Sequence, residues 1–211
     1  MQPKTIVFDL DDTLALEMDY LKSAFKAIAS ELDAGNELLF HEMLEWQRSK
    51  QNVFALLKQR FDLDGIDDLR NIYRNHIPDF SHLVHVREML SELKSNGHFL
   101  GLITDGYSVT QRNKLRALQI EELFDLIVIS EEFGSEKPHE NNYRAFERFG
   151  TRDYIYVGDN TAKDFVTPNR LGWKTVCVED SGHNIHMQDF NRDLIYLPTT
   201  RIKSLEQLTL E

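Results

Sequence analysis

The stretch Thr5-Ile6-Val7-Phe8-Asp9-Leu10-Asp11-Asp12-Thr13 decides how this chain is read. A short apolar run rich in β-branched residues reads as a buried strand. It ends in two carboxylates spaced two apart, followed by a hydroxyl. Strand ends of open α/β sheets are where ligands bind. A carboxylate there can act as a nucleophile, and a second one beside it can exchange protons. Together the two can hold a hard cation such as magnesium. The competing reading is an acidic strand-to-helix turn in which Asp12 or Thr13 caps the next helix.

Three more segments extend the pattern. Phe99-Leu100-Gly101-Leu102-Ile103-Thr104-Asp105-Gly106 is a second apolar run ending in a hydroxyl and a glycine turn. Ser135-Glu136-Lys137-Pro138 sets a lone lysine in a loop before a helix. Tyr154-Ile155-Tyr156-Val157-Gly158-Asp159-Asn160 is a third apolar run ending in an acid, with Asp164 five residues on. Taken singly, Thr104 suits a helix cap, Lys137 a solvated charge and Asp164 a helical ion pair.

In this order the four segments resemble the haloacid-dehalogenase superfamily of hydrolases. That family carries Asp-x-Asp-x-Thr after its first strand, Thr or Ser after the second, a Lys before a later helix, and Gly-Asp-x(3–4)-Asp after the fourth strand. The resemblance runs from Lys4 to about Val178 and includes Asn169-Arg170-Leu171-Gly172-Trp173-Lys174-Thr175-Val176. It implies that Asp9 is the nucleophile and Asp11 the acid and base. It assigns Thr104, the Asp105 amide and Lys137 to the phosphate. Magnesium would be held by Asp9, the Asp11 carbonyl and Asp159, with Asp164 either ligating or orienting a metal-bound water. Chemistry points the same way. Four carboxylates offset by one lysine cannot all stay ionised at close range without a cation, and the lack of a Cys/His cluster speaks against zinc. The dehalogenase branch has no acid at the Asp11 position, because a halide leaves without a proton. Asp11 therefore favours phosphate transfer.

The chain departs from the family at Asp105, where Asn is usual. Its amide contact to phosphate survives the change, but its charge does not suit an anionic ligand. Asp105 is expected either to pair with a basic residue of the inserted helices or accept hydrogen bonds from substrate hydroxyls, or to be a turn former bonded to its own backbone.

Composition narrows the remaining possibilities. The chain has 211 residues and a net charge of −11. That length suits one core domain with a modest insertion. Spread negative charge speaks against nucleic acid or an anionic membrane as partner. Cys177 is the only cysteine and lies in an apolar run, so it is expected in the core, in a reducing, cytoplasmic setting. No apolar run reaches membrane-spanning length, and the N-terminus enters a strand without a signal peptide.

Organisation follows from periodicity. Between Leu14 and about Ser81 no strand pattern appears. Met18, Leu21, Phe25, Ile28 and Leu32 recur at helical spacing, then Gly35-Asn36 breaks the run. Leu39, Met43 and Trp46 mark a second helix, Val53, Leu57 and Phe61 a third, and Ile66, Leu69 and Tyr73 a fourth. From His82 onward helices and strands alternate, which implies a Rossmann-like parallel sheet with helices on both faces. Leu194–Leu197 reads as an edge strand, and Ser204 to Leu210 as a terminal helix with a serine cap. The expected division is an α/β catalytic core of residues 1–15 and 82–211 and an all-helical cap of residues 16–81. In the family such a cap closes over the strand ends and excludes water.

The implied function is a magnesium-dependent phosphatase acting on a small phosphorylated metabolite through an aspartyl-phosphate. The alternatives are a phosphomutase of the same family and a non-catalytic binding protein on this fold. His183 and His186 are spaced as a metal pair without a further ligand nearby, and His82 and His85 suit a hinge or surface role.

Overall fold

A computed structural model describes residues 2–210. Met1 and Glu211, at the two ends of the expected core, lie outside the described residues. Six strands form one parallel sheet: β1 (Thr5–Phe8), β2 (Phe99–Thr104), β3 (Leu126–Ile129), β4 (Tyr154–Gly158), β5 (Lys174–Val178) and β6 (Thr200–Ile202), in the order β3-β2-β1-β4-β5-β6. Strand β1 is central, with Phe8 opposite Leu102 on one side and Val157 on the other. It is buried on both faces, so its run is apolar without alternation. From β1 the chain builds outward to β2 and β3, then returns to add β4 to β6 on the other side. The reversal opens a crevice at the carboxyl ends of β1 and β4, where ligands bind in such sheets.

Each sheet face carries its own core. Ile6, Phe8, Leu100, Leu102 and Val157 pack with Leu90 and Leu115 on one side. Val7, Ile103, Val128, Tyr156 and Cys177 pack with Tyr143, Phe146, Phe165 and Trp173 on the other. Cys177 is buried and free. Gly101 is required by this packing: a Cβ there would stand 2.1 Å from Cε1 of Phe146.

Between β1 and β2 lie helices α1 (Glu17–Leu32), α2 (Glu37–Arg48), α3 (Val53–Arg60), α4 (Asp67–Asn75) and α5 (Val84–Ser95). Asn36 and Asn52 cap α2 and α3 by accepting from the Leu38 and Ala55 amides. The first four of these helices bury the expected stripes against one another. Leu21, Phe25, Ile28, Leu39, Met43, Val53, Leu57 and Leu69 form a cluster separate from the two sheet cores. Helix α6 (Ser108–Leu118) joins this layer to the sheet. Thr110 Oγ1 donates to the Arg74 carbonyl, and Asn113 Nδ2 to the carbonyls of Asn75 and His76. Carbonyls at and beyond the end of α4, which have no helical partner, are thus satisfied by side chains of the core.

Helices α7 (Ser130–Phe133), α8 (Glu140–Arg144) and α9 (Val166–Arg170) complete the alternation. Two expectations fail near the C-terminus. Leu194–Leu197 is not the edge strand: Leu194–Tyr196 is a 3-10 turn, and β6 at Thr200–Ile202 pairs with β5 instead. Asn169 Nδ2 donates to the carbonyls of Ile195 and Leu197, which removes them from any ladder. Ser204 to Leu210 does not form a helix beyond the single 3-10 turn Leu205–Gln207, and Ser204 makes no side-chain cap. A segment this short does not propagate a helix unaided, and Leu205, Leu208 and Leu210 instead pack on the sheet core.

Candidate active site

Asp9 follows β1, Thr104 closes β2, and Asp159 follows β4, so the parallel register brings all three to one edge of the sheet. Lys137 arrives from the loop between α7 and α8, and Asp164 from the turn before α9. Lys137 Nζ stands 2.7 Å from Asp9 Oδ1 and 2.9 Å from Asp164 Oδ1, with all three side chains buried. Asp9 Oδ1 also accepts from the Leu10 amide at 2.8 Å. Among the described residues, Oδ2 of Asp9 has no hydrogen-bond partner.

Asp164 is held from below. Its Oδ2 accepts from the amides of Asp159 and Asn160 at 3.2 and 2.9 Å. Gly158 makes room for it, since a Cβ there would stand 2.6 Å from that oxygen. Asp9, Asp159 and Asp164 each offer an oxygen within 4.8 Å of the others. This is an all-oxygen donor set without sulfur or imidazole, which fits magnesium. Burial and the charges of Asp164 and Asp9 push Asp159 up to about 9. Burial pushes Asp9 up to about 7 despite the opposing pull of Lys137. The cluster holds more negative charge than it can keep ionised by itself, which is the electrostatic condition for binding a cation.

Asp11 faces another way. Lys114 Nζ, on α6, lies 2.6 Å from Asp11 Oδ1, and Gln111 Nε2 lies 2.9 Å from its Oδ2. Lys114 also contacts Glu17 at the start of α1 and sits 4.3 Å from the centre of the Tyr20 ring. Burial opposes the charge on Asp11, but Lys114 and the hydrogen bonds outweigh it and hold Asp11 below the usual carboxylate range. Glu17 is pushed up to about 8 by burial and by the neighbouring charge of Asp11. Gln111 Nε2 also lies 2.9 Å from Thr104 Oγ1 and 2.7 Å from the Asp105 carbonyl, tying the two strand ends together. Asp12 is not the N-cap of α1, which is Leu16 without a side-chain cap, but its Oδ1 accepts from the Glu17 amide and its Oδ2 from the Ile185 amide.

Asp105 corrects an expectation. Its Oδ2 is 2.6 Å from Lys163 Nζ, a residue of the loop after β4, and its Oδ1 accepts from the Lys137 amide at 3.0 Å. It is paired with the core, neither with the inserted helices nor with its own backbone.

Asp9, Asp11, Glu17, Thr104, Asp105, Lys137, Asp159 and Lys163 line a cavity of about 230 Å³ that also touches Asn160 and His186. A second chamber of about 330 Å³ shares Asp11, Glu17 and Asp105 with it and extends to Phe54, Tyr73, Arg74 and Tyr107. A hollow of about 500 Å³ between α1 and α2 shares no residue with either. Of the histidines, His186 reaches the first cavity without His183, and His82 pairs with Asp19 at 3.1 Å.

Sequence reading missed Lys114, Gln111, Glu17 and Lys163. Lys114 and Gln111 had a signal. They share a helical face with Leu115 and Leu118, and two polar groups at 2% exposure on such a face need partners. Lys163 and Glu17 carried none, since charged residues near helix starts are ordinary.

The haloacid dehalogenase-like hydrolase family matches residues 6–178 of the chain. The chain belongs to this family. As a haloacid dehalogenase-like hydrolase it is an enzyme, and its relatives span most of its length. A protein of Methanocaldococcus jannaschii named glyceraldehyde 3-phosphate phosphatase is 31% identical over 83% of this chain and 84% of that one. Pyrophosphatase PpaX of Bacillus mycoides is 26% identical over 84% of each. Among solved structures, the putative haloacid dehalogenase-type hydrolase YfnB of Bacillus subtilis, bound to magnesium, superposes with a TM-score of 0.63 at 21% identity, covering 98% of this chain and 96% of that one. At that identity the likeness establishes the fold. No described helix is long and apolar enough to cross a membrane.

Proposed function

We propose that the chain is a magnesium-dependent phosphatase that hydrolyses a small phosphorylated metabolite through an aspartyl-phosphate on Asp9. The observation that carries this reading is Lys137 seated between Asp9 and Asp164, with Oδ2 of Asp9 left unengaged. One carboxylate oxygen is anchored and the other is free to attack. Relatives named for phosphate release, at about 30% identity, support the same reaction class.

Each residue has a role that its surroundings support. Asp9 Oδ2 attacks phosphorus as the bond to the leaving oxygen breaks. Asp11 passes to that oxygen the proton it shares with Glu17, then takes one back from the water that attacks phosphorus and releases Asp9. As it stands, paired with Lys114, Asp11 is charged and set for the water step. Glu17 beside it is pushed toward its protonated form by burial and by the charge of Asp11. Lys137, the Thr104 hydroxyl and the Asp105 amide meet the phosphate oxygens, placed in advance where charge develops. Asp9, Asp159 and the Asp11 carbonyl would hold the magnesium, with Asp164 either ligating it or orienting a metal-bound water while it fixes Lys137 and the loop after β4. When bound, the metal supplies charge neutralisation at the phosphoryl group.

Residues 16–81 act in this reading as a cap over the crevice, and the all-helical cluster of α1 to α4 supports that role. The test is steady release of inorganic phosphate from a panel of phosphate esters, with acid-quench trapping of phosphate on Asp9. Sustained release separates hydrolysis from return of the group to a second hydroxyl, and no release from any ester overturns the proposal.

A further inference from the structure

We infer that the leaving group of the substrate carries a second anionic group, and that Arg74 receives it. The inference rests on the phosphatase reading and concerns the chamber beside the phosphate cavity. The two spaces share Asp11, Glu17 and Asp105. An ester whose phosphorus faces Asp9 therefore sends its leaving group past Asp11 into that chamber.

Most cations around these spaces are already paired. Lys114 is taken by Asp11 and Glu17, Lys163 by Asp105, and Arg70 by Asp67 at 3.2 Å. Arg74 is the exception. Among the described residues no carboxylate pairs with it, although the chain carries 35 acids against 24 lysines and arginines. Its guanidinium lies 3.9 Å from the centre of the Tyr107 ring, and its carbonyl is tied to Thr110. Stacking fixes the plane of the guanidinium and leaves its N–H edge for a ligand. The wall also carries Asp11 and Glu17, both paired with Lys114, and Asp105, paired with Lys163, while its apolar part is Tyr20, Phe54 and Tyr73. Their low polarity strengthens the attraction of a fixed charge for an anion, and a fixed charge loses little freedom on binding. Arg70, one turn earlier on α4, also lines the chamber. Its ion pair with Asp67 is solvent-exposed, hence weak and easily exchanged for a ligand. An aldehyde or a hydroxyl would leave Arg74 without its best partner. A carboxylate or a second phosphate meets its fork with two hydrogen bonds.

Three esters that differ only at the carbon farthest from phosphate test this: 3-phosphoglycerate, glyceraldehyde 3-phosphate and glycerol 3-phosphate. A second pair, propane-1,3-diol bisphosphate against its monophosphate, replaces the carboxylate by phosphate. The expected result is a kcat/KM for an anionic member at least about tenfold above its neutral counterpart, the usual worth of a charged hydrogen-bonded pair. Arg74→Gln should collapse that ratio towards one, and Arg74→Lys should lower it less. Equal or better turnover of the neutral esters by the wild-type enzyme overturns the inference, as does a ratio that survives Arg74→Gln. If the Gln variant does not fold, the wild-type ratio and the Lys variant decide. Phosphate release without anion preference sinks this inference alone, whereas no release from any ester sinks the phosphatase reading beneath it.

Discussion

Lys163 Nζ lies 2.6 Å from Asp105 Oδ2, so the acid directly after Thr104 is neutralised from within the sheet layer. The loops after β2 and β4 are thereby bridged above the crevice, and the Lys137 amide, donating to Asp105 Oδ1, adds the third loop to the bridge. A charge that looked unfavourable beside phosphate holds the loops that bear Thr104, Lys137 and Asp159.

This bridge makes Asp105→Asn a test of its role. The change keeps a hydrogen-bond acceptor for the Lys137 amide, removes one negative charge and frees Lys163. KM should fall by a few-fold, and by a similar factor for every ester. Steady-state kinetics on a hydroxyl-rich ester and a simple aryl phosphate would measure it. A selective loss of the hydroxyl-rich ester would instead mean that Asp105 reads substrate.

Asp9→Asn should abolish turnover while preserving the fold. The substitution is nearly isosteric, and Lys137 keeps Asp164 as its partner. Loss of the nucleophile should cost at least about a thousandfold in kcat, a barrier rise of about 4 kcal/mol. Phosphate release together with a melting curve checks both halves, and substantial residual turnover in the folded variant removes Asp9 from its role.

Metal dependence should appear in stability as well as in rate. Exhaustive chelation should abolish activity, magnesium should restore it, and calcium, with its looser geometry, should inhibit. Asp159 is raised to about 9 by burial and its acidic neighbours, so the folded protein binds a proton there that the unfolded chain releases near pH 4. The contribution of Asp159 to the stability of the chelated protein is therefore full below about pH 4 and falls as pH rises toward 9. Magnesium takes the place of that proton and should flatten the slope. Melting curves from pH 5 to 9, with chelator and with magnesium, test the sign, and a chelated protein that grows more stable across this window contradicts it.

Lys114→Met should act on the proton-transferring half of the reaction. It removes the cation that holds Asp11 and leaves two carboxylates crowded together. Breaking a buried pair costs about 3–5 kcal/mol, and the lower end applies because Asp11 and Glu17 keep about a quarter of their side-chain surface exposed. An alkyl phosphate, whose leaving oxygen needs a proton, should lose about a hundredfold in kcat. An aryl phosphate with a good leaving group should lose much less. Equal losses for the two esters would make Lys114 a structural residue only.

The amino-acid order by itself determined the parallel α/β core and the helical run between its first two strands, and it pointed to Asp9, Asp11, Thr104, Lys137, Asp159 and Asp164 as candidates. Lys137 and Asp164 came from the ordered resemblance to the family, whereas buried strands announce themselves as apolar runs with Asp9, Thr104 and Asp159 at or just after their ends, so a local pattern locates these. It misplaced the edge strand at Leu194–Leu197 and the helix after Ser204, because Asn169 reaching across to two carbonyls and leucines packing on a distant sheet leave no local trace. Tertiary structure alone decided which acid meets which cation. Lys137 joins Asp9 across 128 positions, Lys114 joins Asp11 across 103, and Lys163 joins Asp105 across 58. An ion pair depends on distance through space and on shared burial, and neither is encoded in the spacing of two charges along the chain.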